Sequence, residues 1–239
     1  MIRQRLIPVI LLKDGLLTRS QLFNTYQAIG DPIPTLRRLS NWKVDEIFFI
    51  NISTNKIFDS RRCDKAHNIK ATSLGDIIKS ASKFIFAPLS VGGGIKNISD
   101  MTNLFNSGAD KCIVNQSLFN KPSLIKEAVK KFGSQAIVAS LDFKEVNNRL
   151  ACFTEGGIKD TKLDLKNAIK YASELGVGEI LLNCIDHDGS KYGYHRDFLS
   201  FNYKKYAIPI TITGGATEAK HFREGLKSSG ISGVAASNI

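Results

Sequence analysis

Short apolar segments alternate with amphipathic helical segments along the whole chain. Strands of a parallel sheet are buried on both faces and read as continuous apolar runs, so this pattern predicts eight strands. They lie at residues 6–12, 46–52, 86–90 with the glycines that follow, 111–114, 136–141, 179–185, 209–213 and 231–235. Strands that alternate with helices favour a (β/α)8 TIM barrel, with a doubly wound open sheet as the alternative.

Seven helices are predicted between these strands. Four cover residues 99–106, 122–132, 163–175 and 195–204, and the others begin near Asp31, Ser73 and Thr217. Asp31 precedes Pro32, and Ser73 is followed three residues later by Asp76, and both patterns are helix-start signals. The eighth helix of a barrel would follow the last strand, and we expect it to be missing or truncated. We assign residues 1–239 to a single domain.

Two glycine-rich turns follow predicted strands in matching parts of the chain. Val91-Gly92-Gly93-Gly94-Ile95 ends the third strand, and Gly214-Gly215-Ala216 ends the seventh. Glycine allows a tight turn whose N–H groups approach an anion, so each turn is a candidate phosphate site. The repeat predicts a barrel of two halves. The alternative is that these glycines only make tight turns.

The remaining segments carry weaker signals. We predict a loop through Phe23 and Tyr26, and a small hairpin around residues 150–154, because Glu155-Gly156-Gly157 is a turn sequence. Residues 53–72 form a long polar segment, which is typical of a functional or a disordered loop.

The composition limits the possible functions. No apolar run approaches the roughly 18 residues of a membrane span, and no cleavage pattern follows the first strand, so we expect a cytoplasmic protein without a membrane partner. The four cysteines are widely spaced, which argues against a zinc site or a disulfide framework. The net charge is +11, but the basic residues are scattered over predicted helices. We therefore expect anionic small ligands and no nucleic acid.

Candidate reacting groups are those at the carboxyl ends of the strands, where barrel enzymes hold their active sites. Asp142 ends the fifth strand, and residues 186–189 follow the sixth. The phosphate-type positions fall on strands three and four and on strands seven and eight, at opposite sides of the barrel mouth. A ligand that bridges them is elongated and carries a phosphate at each end.

Several motifs together resemble the cyclase subunit of imidazole glycerol phosphate synthase. They are Lys13-Asp14-Gly15, Gly30-Asp31-Pro32, Val91-Gly92-Gly93-Gly94-Ile95, Phe132-Gly133-Ser134-Gln135-Ala136, Gly178-Glu179-Ile180-Leu181-Leu182, Asp186-x-Asp188-Gly189 and Gly214-Gly215-Ala216. The resemblance covers essentially the whole chain. It implies a barrel that takes ammonia from a glutaminase partner in a heterodimer and uses it on a ribosyl substrate with two phosphates, without a cofactor or a metal.

The resemblance also implies roles for individual residues. One phosphate would bind at Gly93, Gly94, Asn115 and Gln116, and the other at Asp188, Gly189, Gly214, Gly215, Ala236 and Ser237. An ammonia gate at the opposite end of the barrel would consist of Arg5, Glu46, Lys111 and Glu179, and Asp110 would face the glutaminase. Asp142 would be one of two aspartates that act as an acid–base pair.

The strand-one position of that pair departs from the family pattern, because it is Leu11 here. Leucine cannot transfer a proton, and Asp14 is three residues away, which predicts that it points to the other face of the strand. Asn51 also stands where the family usually has a carboxylate.

Leu11 therefore favours a cyclase-like paralogue, in which a barrel and a glutaminase supply ammonia to a separate sugar-amidating enzyme for surface polysaccharide. The alternatives are the cyclase of histidine biosynthesis and a catalytically silent barrel that only activates and anchors its glutaminase. A phosphosugar isomerase is a weaker alternative, because it also needs a strand-one aspartate.

His187 is interpreted as a loop residue beside a phosphate, whereas His67 and His221 are predicted to lie on the surface. Cys184, late in the sixth strand, is predicted to be a core residue, because no base for it can be identified.

Overall fold

The computed structural model describes residues 3–54, 58 and 71–237. The predicted polar segment at 53–72 falls largely outside these residues, as do His67 and Cys63. Within the described residues, twelve strands form one sheet, and eight of these close into a parallel barrel in which the last strand pairs with the first. The predicted (β/α)8 barrel is confirmed.

The barrel strands agree with the predicted segments to within a few residues at most ends. They are β1 Arg5–Lys13, β4 Ile47–Asn51, β5 Leu89–Gly92, β6 Lys111–Val114, β7 Ile137–Val146, β10 Glu179–Cys184, β11 Ile210–Thr213 and β12 Gly233–Ala236. The helices are α1 Pro32–Asn41, α2 Leu74–Ala81, α3 Ile98–Ser107, α4 Gln116–Asn120, α5 Pro122–Phe132, α6 Leu165–Glu174, α7 Arg196–Ser200 and α8 Ala219–Lys227. The last described residue is Ser237, which follows β12 directly.

The predicted helix starts are confirmed in atomic detail. Asp31 caps α1 by accepting a hydrogen bond from the Ile33 N–H, at 2.8 Å. Ser73 and Asp76 form a reciprocal capping box at the start of α2. These bonds satisfy backbone donors that have no partner inside a helix, and they fix where each helix leaves the barrel wall.

Two β-hairpins extend the barrel at matching places in its two halves. β2 Leu16–Gln21 pairs with β1 and with β3 Thr25–Gly30, whereas β8 Arg149–Thr154 pairs with β7 and with β9 Lys159–Asp164. The second hairpin was predicted. The prediction of a loop through Phe23 and Tyr26 was wrong, because this segment is the first hairpin.

Helix α7 is also shorter than predicted, since it ends at Ser200 instead of residue 204. Phe201 is extended, and the Tyr203 N–H donates to the Ser229 carbonyl at 2.9 Å. The rings of Phe201, Tyr203 and Tyr206 pack together. A helix that continued to residue 204 would give up that packing.

Alternate side chains of the strands form two separate apolar regions. The larger lies between the sheet and the helices and includes Leu12, Phe49 and Leu182. The smaller, here called the inner layer, fills the barrel axis with Ile7, Val9, Phe48, Ile113, Val138, Leu181 and Ala235. Neighbouring residues of a strand face opposite sides of the sheet. The inward-facing residues that lie beyond the inner layer on each strand are therefore found at the two ends of the barrel.

Candidate active site

A cavity of about 640 Å³ opens at the carboxyl ends of the barrel strands. Its wall includes strand residues together with parts of both hairpins, such as Phe23 and Tyr26 from β2–β3 and Glu155 from the turn after β8. The base is apolar, and the sides carry polar groups. This is the place at which (β/α)8 barrels carry out chemistry.

Asp142 is the buried carboxyl group on the β7 side of this cavity. Asn115 Nδ2 donates to its Oδ2 atom at 3.0 Å, and Asn183 Nδ2 donates to its Oδ1 atom at 3.2 Å. Burial raises the pKa of Asp142 to about 7, aided by the nearby charge of Asp188 and opposed by the two amide hydrogen bonds. A carboxyl group with such a pKa can hold or release a proton at neutral pH.

Among the described residues, the β1 side of the cavity has no such group. Leu11 lines it beside Val9 and Ile50. Asp14 lies in the turn between β1 and β2, where its N–H donates to Ser53 Oγ at 2.7 Å, and it does not line the cavity. Asn51 does line the cavity, and its side chain accepts hydrogen bonds from Ser53.

The first glycine turn opens into the cavity. Gly93 and Gly94 line it, as do Asn115 and Gln116 at the end of β6. Gly93 has φ +102°, and a Cβ atom there would lie 1.8 Å from the Asn51 carbonyl oxygen, so no larger residue fits. Gly94 has φ +67° and open space around it. The four residues predicted for one phosphate are therefore neighbours.

The second glycine turn is more enclosed. Asp188 and Ser237 line the cavity, whereas Gly189, Gly214, Gly215 and Ala236 do not. The Gly215 carbonyl accepts a hydrogen bond from the Gly193 N–H at 3.0 Å, so the loop that follows β10 packs over this turn. Only part of the predicted second phosphate site is thus exposed to the cavity.

Four charged side chains form a closed ring at the opposite end of the barrel, here called the floor ring. Lys111 Nζ lies 2.9 Å from Glu46 Oε1 and 2.8 Å from Glu179 Oε2. Arg5 also bonds both carboxylates, and its Nη2 atom lies 2.7 Å from Glu179 Oε1. Each carboxylate accepts a further hydroxyl hydrogen bond, at 2.6 Å from Ser90 and at 3.1 Å from Thr211.

The floor ring brings together all four residues that the sequence predicted for a gate. Asp110 is exposed next to it and accepts a hydrogen bond from the Leu89 N–H at 2.8 Å, at the start of β5. The ring and the cavity therefore occupy opposite ends of one barrel, with the inner layer between them.

The sequence matches a known family over nearly its whole length. Residues 5–239 match the family described as "Histidine biosynthesis protein". The chain belongs to this family. It is 36% identical over 240 residues to imidazole glycerol phosphate synthase subunit HisF of Clostridium botulinum strain Kyoto, which covers 99% of this chain and 90% of the relative.

Other relatives carry the same name. HisF of Streptococcus mutans is 34% identical over 240 residues, with 100% of this chain and 91% of the relative covered. HisF of Campylobacter concisus is 34% identical over 234 residues, with 98% and 88% covered. The resemblance to the synthase cyclase family that the motifs indicated is confirmed.

This histidine biosynthesis barrel also contains contacts that the sequence analysis did not predict. Asp188, predicted only for the second phosphate site, is buried, and its Oδ2 atom accepts hydrogen bonds from Ser20 Oγ at 2.6 Å and from the Phe23 N–H at 3.4 Å. These bonds hold the β2–β3 hairpin against the loop after β10. Asn183, which bonds Asp142, was also missed. Its position at the carboxyl end of β10, beside Asp142 in register, was the available signal.

The histidines differ in part from expectation. His187 lies in the loop after β10, where Nδ1 is 2.8 Å from the Gly193 carbonyl oxygen. The prediction that His221 is a surface residue was wrong. It is buried, and its Nδ1 atom accepts hydrogen bonds from the N–H groups of Thr217 and Glu218 at the start of α8. A ring nitrogen in that position satisfies donors that a helix leaves unpaired.

Cys184 is buried in the core, as predicted, and burial raises the pKa of its thiol to about 12. A thiol with so high a pKa is a poor nucleophile at neutral pH. None of the helices in the described part of the chain has the length and apolar character that crossing a bilayer requires.

Proposed function

We propose that this chain is the ammonia-using barrel subunit of an imidazole glycerol phosphate synthase. The observation that carries the proposal is Asp142, a buried carboxyl group with a pKa raised to about 7 in the cavity of a barrel whose relatives have that name. The synthase cyclase was an alternative in the sequence analysis, and the relatives favour it over sugar amidation.

The substrate of this proposal is a ribosyl compound with a phosphate at each end. The N–H groups of the turn at Gly93 and Gly94, with the amides of Asn115 and Gln116, are suited to one phosphate. Lys96 and Lys121 line the same side of the cavity and add positive charge. The second phosphate would bind near Ser237, on the side of Gly214 and Gly215.

Ammonia would reach the cavity from the other end of the barrel. A glutaminase subunit would dock at the face that carries Asp110 and the floor ring. The ring would open to admit ammonia, since all four of its side chains are joined by ion pairs that can exchange partners. The protein would then work as a heterodimer, without a cofactor or a metal.

The first test measures turnover of the ribosyl bisphosphate substrate with ammonium salt. We expect the wild-type chain to form product and Asp142→Asn to lose about 10²–10⁴-fold in turnover, the usual effect of removing an acid or base. Asp160→Asn is the matched control, because this carboxylate lies on β9 outside the cavity lining and pairs with Lys162. Equal losses in the two variants would count against a role for Asp142.

A second candidate function is supply of ammonia to a separate sugar-amidating enzyme. Leu11 favours it, because an apolar side chain lines the β1 side of the cavity where the family resemblance implies an acid–base aspartate. In this case the barrel binds its glutaminase and passes ammonia on, but turns over the ribosyl substrate slowly or not at all.

Coexpression with a glutaminase subunit from the same genome separates the candidates. A synthase consumes glutamine and the ribosyl substrate together, a supplier of ammonia consumes glutamine and releases ammonia to another acceptor, and a silent barrel only stimulates glutamine hydrolysis. Charge reversal at Glu46 and Lys111 is expected to reduce ammonia transfer in the first two cases. If no complex forms, the role of the floor face in docking is refuted.

A further inference from the structure

Within the part of the chain that the structure describes, Asp142 and Asp188 are the two buried carboxyl groups that line the cavity. Glu155 also lines it, but its side chain is exposed at the rim and accepts a hydrogen bond from Gln116 at 3.3 Å. The strand ends that carry the two aspartates are neighbours, because β7 and β10 pair in parallel with Asp142 opposite Asn183. Asp188 follows Asn183 by five residues.

The two carboxyl groups have different surroundings. Asp142 is held by two side-chain amides, from Asn115 and Asn183. The Oδ2 atom of Asp188 accepts the bonds from Ser20 and Phe23, and its Oδ1 atom accepts none from the described residues. Tyr26 is the nearby phenol, and the ammonium group of Lys13 lies 4.1 Å from the centre of its ring.

We propose that Asp188 is the second proton-transferring residue of this cavity and acts with Asp142. In this pair Asp142 is the acid, and Asp188 is the base. The inference rests on the proposed use of ammonia. Forming a C–N bond from ammonia releases a proton from nitrogen, and the atom that leaves carbon takes up a proton, so one base and one acid are needed.

Three observations carry this assignment. Leu11 supplies no proton carrier on the β1 side, so a partner for Asp142 has to come from elsewhere in the lining. Asp188 is the other buried carboxyl group there. The surroundings of the two groups also differ. Burial raises the pKa of both, but side-chain amides bond both oxygens of Asp142, whereas the Oδ1 atom of Asp188 accepts no hydrogen bond from the described residues and is left to take up a proton.

A purely structural role for Asp188 is the competing explanation, since it fastens the β2–β3 hairpin. Asp188→Asn separates the two roles. The asparagine Oδ1 atom can still accept the hydrogen bond from Ser20 Oγ, whereas the group no longer titrates. Ser20→Ala is the converse variant, because it removes the hydrogen bond at 2.6 Å and keeps the carboxyl group.

The test measures ammonia-dependent turnover of the ribosyl substrate against pH in the full chain. For Asp188→Asn we expect a loss of about 10²–10⁴-fold in turnover and the disappearance of the limb that rises from acid pH, which reports the base. Ser20→Ala is expected to keep that limb. A loss below tenfold in Asp188→Asn, or a pH profile of unchanged shape, overturns the proposal.

A measurement without substrate separates this proposal from the proposed function. Selective ¹³C labelling of aspartate allows the carboxyl resonance of Asp142 to be titrated by NMR. Because the charge of Asp188 raises the pKa of Asp142, the Asp142 midpoint is expected to move to lower pH in Asp188→Asn. If wild-type turnover is absent, the proposed function fails. A shifted Asp142 midpoint in Asp188→Asn still supports the pair in that case, and an unchanged Asp142 midpoint overturns it.

Should Asp188→Asn fail to fold, the wild-type titration decides. Interacting groups titrate in steps that belong to the pair. A two-step curve for Asp142 supports the assignment, and a single-step curve refutes it.

Discussion

Replacing Lys111 by methionine tests how far the floor ring stabilises the barrel. The ammonium group lies 2.9 Å from Glu46 and 2.8 Å from Glu179, whose side chains are only 2% and 4% exposed. Methionine keeps most of the apolar stem but removes the charge. Two buried carboxylates would then share Arg5 as their remaining cation.

The burial of these carboxylates determines how much stability the substitution removes. Removing one partner of a buried ion pair typically costs 3–5 kcal/mol in the free energy of unfolding, and we expect about 3 kcal/mol because Arg5 still contacts both carboxylates. In a domain of this size that corresponds to a fall of about 6–12 °C in Tm.

The loss should also depend on pH. Burial acts to raise the pKa of Glu179, but the hydrogen bond from Arg5 and the charge of Lys111 outweigh it and hold the pKa below its usual value. A carboxyl group with a lowered pKa in the folded state contributes stability that is complete above its unfolded pKa and is lost as the pH falls through the folded value. The deficit of Lys111→Met is therefore largest at neutral pH and shrinks below about pH 4.

Urea unfolding at pH 7 and well below pH 4 measures both effects. The slope of the free energy against urea concentration should be the same for wild type and variant. Lys126→Met is the matched control, because Lys126 is exposed on α5 and should change stability by less than about 0.5 kcal/mol. Adding Glu46→Gln to Lys111→Met should restore part of the loss, since it removes an unpaired charge. A Lys111→Met protein as stable as wild type at pH 7 would refute the reasoning.

Three further predictions concern the cavity. Asp142→Asn should raise the free energy of unfolding above pH 7 but not at pH 4 in urea titrations. The pKa of Asp142 is raised in the folded state, so the wild type loses stability as the pH rises through that pKa, and asparagine, which does not ionise, avoids this loss. An equal change at both pH values would contradict this. Leu11→Asp should increase ammonia-dependent turnover of the ribosyl substrate in a steady-state assay, and an unchanged rate would argue against a missing proton carrier on β1. Gly93→Ala should abolish the rise in Tm that saturating phosphate gives the wild type, because its Cβ atom would lie 1.8 Å from the Asn51 carbonyl oxygen. Gly94→Ala, with open space at that position, should keep most of this rise and lose about 1 kcal/mol of stability, and similar Tm shifts in both variants would be the contrary result.

The barrel could be predicted because its strands are buried on both faces and appear as unbroken apolar runs. The β2–β3 hairpin could not, since β3 is largely exposed and its residues show no apolar alternation. Its turn also lacks the usual signal, because Leu22 and Phe23 adopt positive φ angles that glycine or asparagine normally takes. The β8–β9 hairpin was predicted because glycines mark its turn.

The lining of the cavity could be predicted where the end of a single strand supplies it. Asp142 and the first glycine turn are such cases. The hydrogen bond between Asp188 and Ser20 could not be predicted, because the two residues are 168 positions apart in the sequence. The burial of His221 was missed for a related reason, since a histidine that accepts backbone hydrogen bonds at a helix start looks like any exposed residue in the sequence.

The inner layer is an apolar barrier along the barrel axis, between two ends that carry charged side chains. Its aliphatic and aromatic side chains separate the floor ring from the polar wall around Asp142. An ammonium ion on this path would have to leave its hydration shell among groups that cannot replace it, which costs far more than moving a neutral molecule. In the proposed passage of ammonia, nitrogen would therefore cross as neutral NH3, the form that can attack carbon, and the inner layer would exclude the ammonium ion by its charge.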